Sequence, residues 1–164
     1  MKKLLISAGA LAATVLSSPA FAATANQASA NASVNIVSPL TLTNDSGLDF
    51  GTVVGPFNGE TVEIAVDGTP NCGGLTCSGS PSAANFTVSG GTADQNLKVT
   101  VDPTVQLTSG SNTLDVDLST DLPTGITTDT NGGATFGVGG SLLIPAGTND
   151  GLYTGSFNVQ VDYQ

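Results

Sequence analysis

The last twelve residues, "YTGSFNVQVDYQ" (153–164), decide the class of fold. Tyr153, Gly155, Phe157, Val159, Val161 and Tyr163 fall on one side of an extended chain, and Thr154, Ser156, Asn158, Gln160 and Asp162 on the other. A period of two is what a strand with one buried and one wet face requires. The same period recurs upstream at Leu40 and Leu42; at Val62, Ile64 and Val66; at Phe86 and Val88; and at Leu97, Val99 and Val101. It returns at Leu114, Val116 and Leu118; at Phe136 and Val138; and at Leu142 and Ile144. Between these runs lie turn formers, "NDSG" (44–47), "DGTPN" (67–71), "SGGTAD" (89–94) and "AGTNDG" (146–151), whose Gly and Asn tolerate positive φ. Short strands with such punctuation and no helical period predict an all-β chain of eight or nine strands. The architecture expected is an antiparallel β-sandwich, with a closed barrel as the alternative.

The opposite end reads differently. "MKKLLISAGALAATVLSSPAFA" (1–22) has Lys2 and Lys3, an apolar run from Leu4 to Leu16 and the small-residue site Ala20-Phe21-Ala22. This is the pattern of a secretory signal peptide cleaved after Ala22, its apolar run being shorter than the roughly 20 residues of a spanning helix. No membrane span is expected in the remaining chain. Residues 23–164 are enough for one domain with a real core.

Cleavage leaves Lys98 as the single cation against 13 acidic groups. Nucleic acid is thereby excluded as a natural partner, because there is no cluster of cations to displace counterions from phosphates. Acidity of this kind suits an exported chain kept soluble by mutual repulsion. The ordered alternation of Val, Leu, Ile and Phe argues against disorder.

Cys72 and Cys77 lie in the glycine-rich "NCGGLTCSGS" (71–80), and in an exported chain such a pair is expected as a disulfide. Closing so small a loop is worth about 2 kcal/mol by chain entropy, enough to pin a loop rather than to hold a fold. The chain has no His. The common nucleophilic triads therefore cannot be built, no zinc set completes itself around the cysteines, and no enzyme, cofactor or resident metal is expected. "LDVDLSTD" (114–121) sets Asp115, Asp117, Ser119 and Asp121 at alternate positions, as the start of a calcium loop does. Thr120 stands where that loop turns on Gly, and Ile126 where it needs a bidentate Glu. The carboxylates are read instead as the wet face of a strand whose other face is Leu114, Val116 and Leu118.

The C-terminal residues also carry a family resemblance. Tyr163 is penultimate and Gly151 is fourteenth from the end, as in the terminal strand of chaperone–usher pilin subunits. "GLDFGTVV" (47–54) resembles the stretch ending the first strand of pilins and of spore-coat-protein-U-like domains, and "ETVEIAVDGTPNC" (60–72) resembles their second strand running into a cysteine. Taken together, residues 34–164 resemble an uncharacterised family of proteobacterial envelope domains related to those pilins. The chain differs from pilins in pairing Cys72 with a near neighbour and having no first-strand cysteine. The resemblance implies an incomplete immunoglobulin-like β-sandwich whose groove is filled first by a periplasmic chaperone, at an outer-membrane usher, and then by a neighbour's N-terminal arm. It also implies that the edge marked by Gly151, Tyr153, Phe157, Val159, Val161 and Tyr163 is the one offered for strand exchange.

Residues 23–33 are left over as an arm, and in "ASANASVNI" (28–36) Ala28, Ala30, Ala32 and Val34 would face a groove. Alanine methyls gain only about 0.8 kcal/mol each on burial, against roughly 1.5–3 for a valine or leucine. Residues 34–43 are accordingly read as the domain's own first strand, and 23–33 as either a weak donor arm or a tail. The function expected is that of an exported structural subunit of a surface filament, self-associating by strand exchange, located in the periplasm, at the cell surface or in a fimbrium. The alternative is a monomeric extracellular module with a complete sandwich, holding carbohydrate or calcium.

Overall fold

The structure, a computed structural model, describes residues 27–122 and 125–164. The expected signal peptide, residues 1–22, lies outside them. Two units divide the chain, Met1–Val34 and Asn35–Gln164. In the first, residues 27–34 carry no strand or helix and are exposed. All regular structure is in the second, and among the described residues it is strand only.

The strands are β1 (Thr41–Ser46), β2 (Thr52–Val54), β3 (Glu60–Ile64), β4 (Pro70–Asn71), β5 (Thr76–Ser78) and β6 (Ala84–Ser89), then β7 (Asn96–Val101), β8 (Thr104–Ser109), β9 (Asn112–Ser119), β10 (Ile126–Thr127), β11 (Ala134–Ile144) and β12 (Val159–Tyr163). All pairings are antiparallel. The largest sheet runs β1-β6-β11-β3-β4 with the β8–β9 hairpin attached to β11; β10-β7-β12 and β2-β5 form two smaller ones.

β11 is the spine. Its residues 134–138 pair with β6, while 140–144 pair with β3 and 139–142 with β9. The change of partner falls in the run "GVGG" (137–140). A Cβ on Gly137 would meet the Val66 carbonyl at 2.5 Å, one on Gly139 would collide with the Ile64 carbonyl, and one on Gly140 would sit 2.9 Å from the Leu48 and Val116 side chains. Only glycine allows this approach, and its presence mid-strand lets the sheet curl. The sequence pattern divides this stretch into two strands, at Phe136/Val138 and at Leu142/Ile144; the chain runs through both as one.

Three further boundaries differ from the pattern. Residues 34–40 form no strand, and β1 begins at Thr41. "NDSG" is not a turn but a bulge within β1, where the register shifts between Asn44 and Ser46; Asn44 Nδ2 donates to the Ser46 carbonyl at 2.9 Å, and the strand continues. At the far end β12 begins only at Val159. Upstream of it, Gly155 lies so close to the Gln106 carbonyl that a Cβ would collide with it, and the chain bridges β8 only at Thr154.

Alternation places the apolar side chains in two adjoining clusters. One holds Phe50, Val62, Ile64, Val105, Leu114, Val116, Leu142 and Ile144; the other holds Phe86, Val88, Leu97, Phe136 and Val138. Burying each large side chain of this kind is worth about 1.5–3 kcal/mol. The side chain of Thr128 is the one polar group buried with them among the described residues. Its hydroxyl donates to the Thr92 carbonyl at 2.7 Å and accepts from the Gln95 amide at 2.8 Å, which ties the 92–95 loop to β10.

Candidate functional site

The first cluster is open. Two runs of chain, residues 48–53 and 148–155, flank a groove of about 570 Å³ whose floor is Val105, Leu107, Leu114, Val116, Leu142 and Ile144, with Phe57 and Phe157 at its sides. A core closed at native density leaves no such space. The rim is held by backbone and by short polar contacts. Asp49 accepts the Gly51 amide at 2.7 Å and exchanges backbone hydrogen bonds with Ser82, and Gly51 has φ +69°. The Glu60 carboxylate accepts the Asn58 amide at 2.6 Å, fixing the loop behind Phe57, and that backbone hydrogen bond holds its pKa below the ordinary value.

The other rim is the C-terminal run. Thr108 and Thr154 exchange backbone hydrogen bonds of 2.8 and 3.0 Å, which fastens it to β8. The Tyr153 hydroxyl donates to the Asn149 carbonyl at 3.0 Å. Leu152 stands at the mouth, 81% exposed. An isolated leucine beside Gly151 gives no alternating signal, and sequence reasoning missed it along with Phe57 and Leu107.

The residues expected at an exchange edge fall into two groups. Gly151, Tyr153 and Phe157 line the groove. Val159, Val161 and Tyr163 lie on β12 and pack half-buried against the second cluster. The hydrogen bonds that bracket β12 run from the Asp102 amide to the Asn158 carbonyl and from the Gln164 amide to the Asn96 carbonyl. With the register Gln160↔Thr100 and Asp162↔Lys98, even-numbered residues turn their backbone to β7. Val159, Val161 and Tyr163 therefore point theirs the other way, to an edge that no strand among the described residues pairs.

Cys72 and Cys77 form the expected disulfide, with Cα atoms 6.0 Å apart. Cys77 sits on β5 opposite Val53 of β2, so the bridge braces the strand that carries one rim of the groove. Asp115 and Asp117 lie on the exposed face of β9, as the alternation requires, and Asp115 accepts from Gln106 Nε2 at 3.1 Å.

The arm residues Ala28, Ala30, Ala32 and Val34 are exposed and in no strand. Their alternation continues to Ile36 of the second unit; Val34 and Ile36 are 82% and 84% exposed. The chain becomes anchored at Ser38, whose amide donates to Thr92 Oγ1 at 2.8 Å. The Tyr163 hydroxyl completes a clasp there, donating to the Ser38 carbonyl at 2.7 Å and accepting the Thr92 amide at 2.9 Å.

No curated protein and no solved structure is significantly similar to this chain. Residues 40–163, which hold all the strands described above, match the family model named Domain of unknown function (DUF4402), and the chain belongs to that family.

Proposed function

We propose that the chain is an exported structural subunit of a surface filament or fimbria-like assembly, built by β-strand exchange and without catalysis. The observation that carries this reading is the apolar groove between residues 48–53 and 148–155, in a chain that also has an exposed alternating segment. A strand laid in such a groove would bury every second side chain and satisfy backbone groups at the same time. An open edge beside apolar surface is a hazard unless something covers it.

In this reading the curled sheets make an immunoglobulin-like sandwich that lacks one strand, and residues 1–22 are a signal peptide. A periplasmic chaperone guards the groove, an outer-membrane usher passes the subunit on, and the product resides in the periplasm, at the cell surface or in a fimbrium. The donor segment runs past the arm of residues 23–33. It extends from Ala28 to Ile36, because residues 34–40 form no strand, and so includes two bulky side chains besides the alanines.

The test is a denaturing gel of the mature protein from the cell envelope, unboiled against boiled. Strand exchange gives a ladder at multiples of the subunit mass that collapses on heating, and deleting residues 23–36 abolishes it. A single monomer band in both lanes overturns the reading in favour of a monomeric carbohydrate- or calcium-binding module.

A further inference from the structure

We propose that Asn58-Gly59, in the loop beside the groove, is a self-modification site whose asparagine deamidates through a cyclic imide, and that the fold protects the chemically identical pair Asn131-Gly132 from the same reaction. Asparagine followed by glycine is labile because glycine puts no side chain in the way of its own nitrogen. The sequence marks both pairs alike, and the structure separates them. The proposal is independent of strand exchange.

Ring closure needs a free glycine nitrogen and room to turn. Asn58 and Gly59 are exposed, and among the described residues nothing accepts a hydrogen bond from the Gly59 amide. Apart from its chain neighbours, no atom lies within 4 Å of the place a Cβ on Gly59 would take. The one bond to the Asn58 carboxamide among the described residues runs from Nδ2 to Glu60 Oε1, at 3.4 Å too long to fix it. At the other pair, the Gly132 amide donates to the Asp129 carbonyl at 3.0 Å, and the Gly132 carbonyl accepts from the Gly91 amide at 3.0 Å. Gly132 is buried, and so close to the Gly91 carbonyl that a Cβ would overlap it. The Asn131 amide is itself bound to Asp129 Oδ1 at 2.8 Å. Each such bond that must break before the ring can close slows the step by about fivefold.

The Gly59 nitrogen gives its proton to hydroxide and bonds to Asn58 Cγ. The Cγ–Nδ2 bond breaks, and the departing nitrogen takes a proton from water and leaves as ammonia, which regenerates the hydroxide. One water then opens the imide. Opening at Cγ leaves an aspartate at position 58, and opening at the α-carbonyl leaves an isoaspartyl link whose backbone is one carbon longer. Either product exchanges the carboxamide for a carboxylate beside that of Glu60, which the Asn58 amide holds at 2.6 Å. Like charges so close repel each other, and the loop that carries Phe57 to the side of the groove loosens.

The experiment ages the mature protein, disulfide intact, at mildly alkaline pH, folded and in urea, and follows both pairs by peptide mass mapping, with isoaspartate read by enzymatic methylation. In the folded protein, conversion at Asn58 is expected at least about tenfold faster than at Asn131, and in urea the two converge to within about twofold. Asn58→Gln, whose larger ring closes far more slowly, removes the signal assigned to that site. Amide exchange in residues 55–60 rises with the converted fraction. Equal rates at the two pairs in the folded protein, or an Asn58 that stays intact there while both convert in urea, overturn the proposal. A converted protein with unchanged exchange in residues 55–60 overturns the consequence for the groove.

Discussion

The two core clusters meet on β11, which gives Leu142 and Ile144 to one and Phe136 and Val138 to the other, and they are finished differently. In the second cluster, Phe86 and Phe136 stack with centroids 5.4 Å apart and Phe157 meets Phe86 edge-on at 6.4 Å, and β1, β6, β7, β11 and β12 contribute side chains around them. In the first, equally buried aliphatic side chains such as Val116 and Ile144 form the floor of a groove open to solvent. The difference separates two duties. One half supplies stability through aromatic packing and a satisfied polar knot at Thr128, and the other leaves part of its apolar surface uncovered, which in the proposed assembly a strand from outside would bury.

That division is broken most directly by truncating one side chain in each half. Phe136→Ala removes half of the stack and leaves a cavity among groups that cannot collapse, at a cost of about 3–5 kcal/mol in urea unfolding. Leu107→Ala, on the groove floor and only half-buried, costs under about 1 kcal/mol in the monomer and weakens the proposed assembly. Equal costs would mean that the groove is closed in solution.

The polar knot and the disulfide give the next two effects. Thr128→Val keeps the shape but strands the Thr92 carbonyl and the Gln95 amide inside, costing about 1–3 kcal/mol; Thr128→Ser restores most of it. Because Thr92 also belongs to the clasp, the valine variant loosens Ser38 as well. Removing the Cys72–Cys77 bridge costs about 2 kcal/mol on chain-entropy grounds. Hydrogen exchange places that loss: faster exchange in β2 and β5 with β6 and β11 unchanged is the expected pattern, since Cys77 pairs with Val53 and the bridge does not reach the stacked half. Acceleration spread over both halves would mean that the clusters unfold as one.

The buried side chains of both halves were legible in the sequence, for a physical reason. Period-two alternation reports which side chains a strand buries, so Phe86/Val88, Leu97 and Phe136/Val138 fell into place in the closed half, and Val62/Ile64, Leu114/Val116 and Leu142/Ile144 in the open one. β8, with only Val105 and Leu107 between hydroxyls, is too short to stand out and becomes a strand through its hairpin with β9, turned at Gly110 with φ +62°. Turn composition misled at Asn44-Asp45-Ser46, where side-chain hydrogen bonds serve a bulge; Asp45 accepts from Thr87 Oγ1 at 2.6 Å. The groove had no sequence signal, because alternation within a strand marks its apolar face and not whether that face is covered. Alternation at Val34 and Ile36 suggested a strand of the domain itself, and only their exposure identified them as apolar residues without cover.

Acid provides the mildest probe of the same comparison, since carboxylates clasp loops in both halves. Asp129 Oδ1 accepts the Gly133 and Asn131 amides at 2.8 Å each, closing the turn into β11, and those backbone bonds, Gly133's first, hold its pKa below the ordinary aspartate value. The Thr69 amide does the same to Asp67 in the turn between β3 and β4, and the Asn58 amide to Glu60 at the groove. A carboxylate whose folded pKa is depressed binds its proton more readily in the unfolded chain. Its contribution is therefore complete above the unfolded value of about 4 and is lost as pH falls through the lowered folded value. Melting temperature should hold level from neutral pH to about 5 and decline below about 4. Asp129→Asn should reduce that decline by loosening the turn at every pH, and Glu60→Gln should act likewise on the groove loop. The amide resonances of Gly133 and Asn131 report the first site directly. A titration midpoint at the ordinary aspartate value would show that the turn is not clasped in solution, and would remove Asp129 from the bonds that hold the closed half shut.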